Sequence, residues 1–370
     1  MRIAILAQSY EPARGGGPRW TTELSRGLAA RGHDVLVLTR DFPGYEGTHR
    51  ENSLEVRYLR APRVRGSPIF GRALLDEHLR PFAPEIVQTS APSLSDMLMP
   101  PPSRYGAPYA TLFHAQLGAS LPAKIVQAFN LRRLQRGDWA GIAVTSAYWQ
   151  RWLTERGVPA QHVAVIPSTV SAIFSDGPAA GAVRRPGSLL FAGGLDDTQS
   201  YKRFDLLLAA CAAIAKEAPE LPWQLYVVGD GNLRAGYERD AEAAGLGSRV
   251  TFLGSVGDDE LHRLYSSVAL TVLPSSDVRE GWGLVLAEAL CCGSAILLTR
   301  GIGGAETFGA APGAVVVAPG RAEDLAAGIM RALRAGLDNR DAERVAFGAQ
   351  FHAARVVSSY EAMYGRMLRR

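Results

Sequence analysis

Short apolar runs alternate, along the first half of the chain, with longer stretches in which apolar residues recur every three or four positions. The first run, Ile3, Ala4, Ile5, Leu6 and Ala7, has no polar interruption, as a strand covered on both faces requires. A turn with Gly15, Gly16 and Gly17 follows. A helix is then expected from about Pro18 to Arg31, with Pro18 in its first turn, Leu24, Leu28 and Ala29 at helical spacing, and Gly32 as its stop. Val35–Leu38 makes the next strand and completes a βαβ opening. Further strands fit Leu54–Leu59, Ile86–Val87, Tyr109–Phe113, Gly141–Val144 and Val163–Ile166, with helical stretches between several of them. Such alternation predicts an α/β domain built on a doubly wound parallel sheet.

Between Ser175 and Pro186 small residues and prolines replace the pattern, which reads as a linker. A second alternation follows. Strands fit Ser188–Ala192, Trp223–Val228, Val250–Leu253, Leu270–Leu273, Ala295–Leu298 and Ala314–Val317. Helices fit Phe204–Ala215, Leu233–Ala243, Asp258–Ser266, Leu284–Cys291 and Ala322–Ala335. Asp341–Leu368 is helical in pattern, with Phe347, Phe351, Val356, Tyr360, Met363, Tyr364 and Met367 on its apolar side. The expected organisation is two Rossmann-like domains, residues 1–180 and 186–344, with residues 345–370 packing back on the first. Open sheets of this type bind ligands at the carboxyl ends of their strands, so two such domains facing each other would offer a cleft.

Composition narrows this picture. With 370 residues, 47% hydrophobic and 21% charged, the chain can bury two cores and is not disordered. The longest apolar stretch, Ala289–Leu298, is well short of the ~18 residues of a membrane span. Met1–Gln8 leads into Tyr10, Glu11 and Pro12 and reads as a first strand, not a signal peptide. The three cysteines, Cys211, Cys291 and Cys292, form no CxxC pair; reduced thiols and a cytoplasmic location are expected. Charge is uneven: 22 Lys and Arg face 14 Asp and Glu through Arg185, against 18 and 22 beyond it. The basic first half makes peripheral contact with an anionic membrane at the inner face of the cell membrane a candidate role, carried best by Leu121–Arg136 with Lys124, Arg132, Arg133 and Arg136. An ordinary amphipathic helix packed on the sheet is the preferred reading of that segment. A net acidic second half and the lack of a basic stripe interleaved with aromatics argue against nucleic acid.

The densest chemistry lies in Pro274–Leu290. A strand end, a loop with Glu280, a Gly281-Trp282-Gly283 turn and a helix starting at Leu284 and carrying Glu288 follow one another. Glu280 stands where ligands sit, at the strand's carboxyl end, and Glu288 lies close behind it. The turn presents backbone N–H groups at a helix N-terminus, suited to phosphate oxygens. Two carboxylates for hydroxyl groups and amides for a diphosphate suit a nucleotide sugar.

This segment resembles the signature of the family 4 retaining glycosyltransferases of the GT-B fold. Further segments fall in the family's order: Arg31-Gly32-His33-Asp34-Val35, Val144-Thr145-Ser146, Val165-Ile166-Pro167, Val228-Gly229-Asp230-Gly231, Val250–Gly254 and Gly303–Glu306. The resemblance implies transfer of a hexosyl unit from a nucleoside diphosphate sugar to a glycan, a lipid-linked or a small-molecule acceptor, with no metal or other cofactor. It implies Glu280, Lys202 and His114 as catalytic residues: Glu280 on donor sugar hydroxyls, Lys202 on the diphosphate, His114 near donor sugar and acceptor. Donor binding falls to Gly16, Gly17, Gly281, Trp282, Gly283 and Leu284 by main-chain contact, to Glu288 at the ribose, and to Gly229 and Gly254 near the nucleotide.

Some positions depart from the family. Gly194 stands where an arginine is frequent at the phosphate, and Arg203 follows the lysine where glycine is usual, which makes Arg203 a candidate replacement cation. Ser168-Thr169-Val170-Ser171 replaces a frequent Asn-Gly-Val-Asp, and Trp282 a commoner Phe. A GT-B-like nucleotide-sugar epimerase or hydrolase is the alternative. A nicotinamide-dependent oxidoreductase is disfavoured, because Gly15-Gly16-Gly17 lacks the dinucleotide spacing.

Overall fold

A computed structural model describes residues 1–13, 15–64, 67–91, 98–114, 121–335 and 340–369. The chain forms two compact units, Met1–Ser171 with Phe351–Arg370, and Ala172–Gln350. The first unit thus closes at Ser171, and the small-residue segment from Ser175 to Pro186 lies within the second.

In the first unit the strands are β1 (Arg2–Leu6), β2 (Asp34–Arg40), β3 (Gly47–Glu51), β4 (Leu54–Leu59), the two-residue pair β5 (Arg63–Val64) and β6 (Ser67–Pro68), β7 (Ile86–Ala91), β8 (Tyr109–Phe113), β9 (Gly141–Val144) and β10 (Val163–Val165). Its helices are α1 (Gly16–Ala30), α2 (Arg72–Phe82), α3 (Leu121–Arg136) and α4 (Ala147–Thr154). Eight strands form one sheet in the order β10-β9-β8-β7-β1-β2-β4-β3. All pairings are parallel except β3 with β4. Strand β3, Gly-Thr-His-Arg-Glu, is exposed at every position, so it has no apolar alternation to reveal it and exists by pairing with β4.

The second unit opens with α5 (Ala172–Ser175) and continues with β11 (Arg185–Ala192), α6 (Phe204–Glu217), β12 (Gln224–Val228), α7 (Arg234–Ala243), β13 (Val250–Gly254), α8 (Asp258–Ser267), β14 (Val268–Leu273), α9 (Leu284–Cys291), β15 (Ala295–Thr299), α10 (Ala305–Gly309), β16 (Val315–Val317), α11 (Ala322–Arg334) and α12 (Asp341–Gly348). Its sheet is wholly parallel, in the order β13-β12-β11-β14-β15-β16. The order reverses between β11 and β14, and a crevice at the carboxyl ends of the strands at such a reversal is where ligands bind in doubly wound sheets. Leu189, Phe191, Leu225, Val227, Leu270 and Val272 from the central strands share one core with Leu207, Cys211 and Ile214 of α6 and with Ile329 of α11.

The expected helix Asp341–Leu368 is not continuous. It ends at Gly348, makes a short 3-10 turn at Ala349–Phe351, and restarts as α13 (Ala353–Leu368) in the first unit. A Cβ at Gly348 would lie 2.9 Å from the Cys291 backbone, which fixes α12 closely on α9. Helix α13 buries Val356, Val357, Tyr360, Met363, Tyr364 and Met367, with Val357 against Gly27 of α1 and Met363 and Met367 against Gly141 of β9, in one core with residues of β1 and β2. Polar groups aim it: Trp20 Nε1 donates to the Tyr360 hydroxyl at 3.2 Å, the Tyr364 hydroxyl donates to Gln88 Oε1 at 2.9 Å, and Glu361 pairs with Arg31 at 2.8 Å.

Candidate active site

Three loops of the second unit meet at the switch point, after β11, β12 and β14. The loop after β11 makes a 3-10 turn, Asp197–Lys202, whose start is capped by the Asp196 carboxylate accepting from the Thr198 and Gln199 amides. Arg203 closes the turn in the left-handed region, at φ 56°. The Lys202 side chain passes so close to the backbone that a Cβ at Gly193 would sit 2.8 Å from its Cδ. Glycine at 229 is required on two counts. Its φ is 138°, and any Cβ there would run into the Gly193 carbonyl oxygen. The loops after β11 and β12 are locked together by Gly193 N–H to Val228 O and Leu195 N–H to Asp230 O, each 2.9 Å, and Gly229 N–H continues the chain of contacts to Gly254 O at 2.9 Å.

Across the switch point, Lys202 Nζ donates to Glu280 Oε2 at 2.7 Å, with both side chains 12% exposed. Burial alone would lower the lysine's pKa, but the Glu280 carboxylate beside it, with Tyr201 and Glu288 adding, raises it above its ordinary value. Lys202 is therefore a fixed ammonium. The Ser275 hydroxyl lies 3.5 Å from the same Glu280 oxygen, and the Gly303 amide holds the Glu280 carbonyl at 2.9 Å. Glu288 is buried on α9, accepting from the Tyr265 hydroxyl at 3.1 Å. Between the carboxylates, Gly283 takes φ 102° and Leu284 starts α9. Trp282 is buried with its ring 4.7 Å from that of Phe308, so its side chain fills core, and Gly281 and Gly283 on either side of it are buried too.

Lys202, Glu280, Glu288, Gly229, Gly254 and the Gly281–Leu284 turn are thus brought to one end of one sheet. Arg203 is not a free cation there, since its guanidinium is held by Asp205 at 2.8 Å. The space an arginine at 194 would need is filled as well: a Cβ at Gly194 would lie 2.8 Å from Asp196 Oδ2 and closer still to the Gln199 amide. Sequence reasoning assigned no role to Tyr201, Tyr265, Ser275 and Gln199, which support the named residues; Ser275 lies within Pro274–Leu290 but was given no part there. In the first unit, Gly16 and Gly17 start α1 at the end of β1, and a Cβ at Gly17 would meet nothing within 4 Å. His114 follows β8 at the same end of that sheet. Its Nδ1 is buried with no hydrogen-bond partner among the described residues, and burial lowers its pKa, favouring the neutral ring.

Residues 14–172 match the profile of Glycosyltransferase Family 4 and residues 189–347 that of Glycosyl transferases group 1. The chain belongs to glycosyltransferase family 4. Among similar proteins is the 2-deoxystreptamine glucosyltransferase of Streptomyces kanamyceticus, 25% identical over an alignment of 389 residues that spans 93% of this chain and 98% of the relative. Another is a D-inositol 3-phosphate glycosyltransferase of Nocardiopsis dassonvillei, 28% identical over 79% of this chain and 75% of the relative. Of solved structures, a glycosyltransferase from Rickettsia africae superposes with a TM-score of 0.75 at 16% identity over 99% of this chain and 98% of its own. Anabaena Alr3699/HepE in complex with UDP superposes with 0.74 at 16% over 99% and 100%. The family 4 chain therefore has the GT-B fold and is a glycosyltransferase; these likenesses do not favour an epimerase or hydrolase.

Proposed function

We propose that the protein transfers a hexosyl unit, with retention of anomeric configuration, from a nucleoside diphosphate sugar bound by the second unit to a hydroxyl of a glycan, lipid-linked or small-molecule acceptor. The observation that carries this reading is the buried Lys202–Glu280 pair at the switch point, beside Glu288 and the N-terminus of α9. Lys202 and Glu280 face each other as an ion pair. A bound donor separates the tasks: the Lys202 ammonium and the amides of the turn hold the diphosphate, Glu280 accepts from sugar hydroxyls, and Glu288 from the ribose. The bond from C1 to the phosphate oxygen breaks while one from C1 to the acceptor oxygen forms on the same face. The acceptor proton passes to the departing phosphate. Charge that develops on the diphosphate meets a fixed ammonium and a helix dipole, the kind of preorganised field that lowers such barriers most. With that charge supplied by Lys202, a metal ion is not needed for the step. Neutral His114 is assigned to the sugar and acceptor side of the site.

UDP and UDP-glucose occupy solved structures of Anabaena Alr3699/HepE, so UDP-sugars are the first donors to try, with GDP- and ADP-sugars beside them. Product from an α-linked donor and a panel of hydroxyl acceptors is read by proton NMR. An α-linked product is expected, with the rate unchanged by EDTA and lowered about 10²-fold or more in Lys202→Ala. A β-linked product contradicts retention, and a rate that EDTA abolishes contradicts the metal-free step.

A further inference from the structure

Helix α3 carries a row of large apolar side chains away from the face by which it packs. Its buried residues are Asn130, Arg133 and Leu134. Leu121, Ile125 and Phe129, spaced at i, i+4 and i+8 and therefore in one row, are 72%, 58% and 44% exposed. Arg132 and Arg136 continue the same face at the helix's C-terminal end. The helix contains four basic and no acidic residues. Arg133 is used internally, donating to Asp138 at 2.7 Å and to the Met99 carbonyl at 3.1 Å. Lys124, Arg132 and Arg136 have no carboxylate partner among the described residues. The Met99 contact ties the preceding segment to the helix, which places Leu98, 49% exposed, beside it. Four of the nine exposed large hydrophobics of the described chain therefore belong to this one locality.

Helix α3 does pack, through Asn130, Arg133 and Leu134, while its Leu121–Ile125–Phe129 row is turned to solvent. A contiguous exposed apolar row marks an interaction surface. Charge decides which: unpaired cations on and beside the row, on the basic half of the chain, complement an anionic bilayer, where such a helix lies in the headgroup plane with its apolar row in the acyl boundary.

We propose that α3 is a membrane-docking helix, seating the first unit on anionic phospholipid through Leu121, Ile125 and Phe129 with Lys124, Arg132 and Arg136 in the headgroups. The full chain is sedimented with vesicles of phosphatidylcholine alone and of phosphatidylcholine with phosphatidylglycerol. Binding is expected only to the anionic vesicles, weakening as salt is raised. The double variant I125E/F129E is expected to lose more than about tenfold in partitioning, and R132A/R136A to lose the salt dependence. Thermal midpoints and nucleotide binding should stay as in the parent, which separates docking from folding. No partition to anionic vesicles overturns the proposal, as does equal binding to both vesicle types or binding that I125E/F129E leaves unchanged. A concentration-dependent dimer that I125E/F129E dissolves, without vesicle binding, overturns it in favour of a second copy.

Discussion

Among single residues, Lys202 and Glu280 join the stability of the second unit to its proposed chemistry. Both are nearly buried, so each is stabilised chiefly by the other. Removing one partner leaves an uncompensated charge, which costs about 3–5 kcal/mol, whereas removing both is close to neutral. Urea unfolding of Lys202→Ala, Glu280→Ala and the double variant should therefore show two destabilised singles and a double near the parent. All three should be inactive, because the stability rescue does not restore the charges the donor needs. Additive losses in the double variant would mean that the pair is not coupled. The raised pKa of Lys202 keeps the pair's contribution fully present below the ordinary lysine value, and it is lost only as pH rises through the higher folded value. The Glu280, Glu288 and Lys202 positions were legible in sequence, since they stand in an ordered set of motifs. Arg203 was not: the ion pair with Asp205, two residues on, takes the cation that the sequence offered to the phosphate. Gln199 fills the place of the missing arginine at 194 without any motif to announce it.

At the scale of elements, strands with unbroken apolar runs were readable because parallel strands are covered on both faces. Strand β7 extends to Ala91, past the apolar Ile86–Val87, because Gln88, Thr89 and Ser90 pair with β8 and the Gln88 and Thr89 side chains find partners; Thr89 donates to the Thr111 hydroxyl at 3.0 Å. Strand β3 was hidden for the opposite reason, being polar and exposed throughout. In the terminal segment the helical pattern runs on through Gly348–Phe351, and periodicity does not mark where one helix stops and the next starts in a different unit. Helix α13 contributes six buried apolar side chains to the first unit's core. At about 1.5–3 kcal/mol each, their loss is comparable with the whole stability of a domain, about 5–15 kcal/mol. A chain ending at Gln350 should lose the cooperative unfolding of the first unit, seen as missing near-ultraviolet dichroism and rapid proteolysis before Ser171. A shortened chain whose first unit resists protease as the parent does would contradict that role.

Across the whole molecule, chemistry and charge are divided between the two units. The residues assigned to the donor are concentrated in the second, at the reversal of its strand order, while the first carries His114, the glycines at the start of α1 and the exposed basic face of α3. The three cysteines are free and buried, all in the second unit, with the Cys211 and Cys291 thiols pushed up to about 12 by burial, so they are packing residues and not nucleophiles. No described helix is long and apolar enough to cross a membrane. The chain's modest formal charge of +4 averages over a basic first half and an acidic second, and that division follows the units. What the sequence could not supply was the outward turn of the α3 apolar row, because periodicity gives a face without saying what covers it.

Isothermal titration of the full chain with UDP, GDP and ADP reads out whether the second unit binds a nucleoside diphosphate through Lys202 at the switch point. One of the three should saturate the parent protein, with affinity lowered more than about tenfold, equivalent to 1.4 kcal/mol, in the Lys202→Ala and Glu288→Ala variants and little changed in His114→Ala. Binding of none of the three, or binding that Lys202→Ala leaves intact, would contradict a diphosphate site at Lys202.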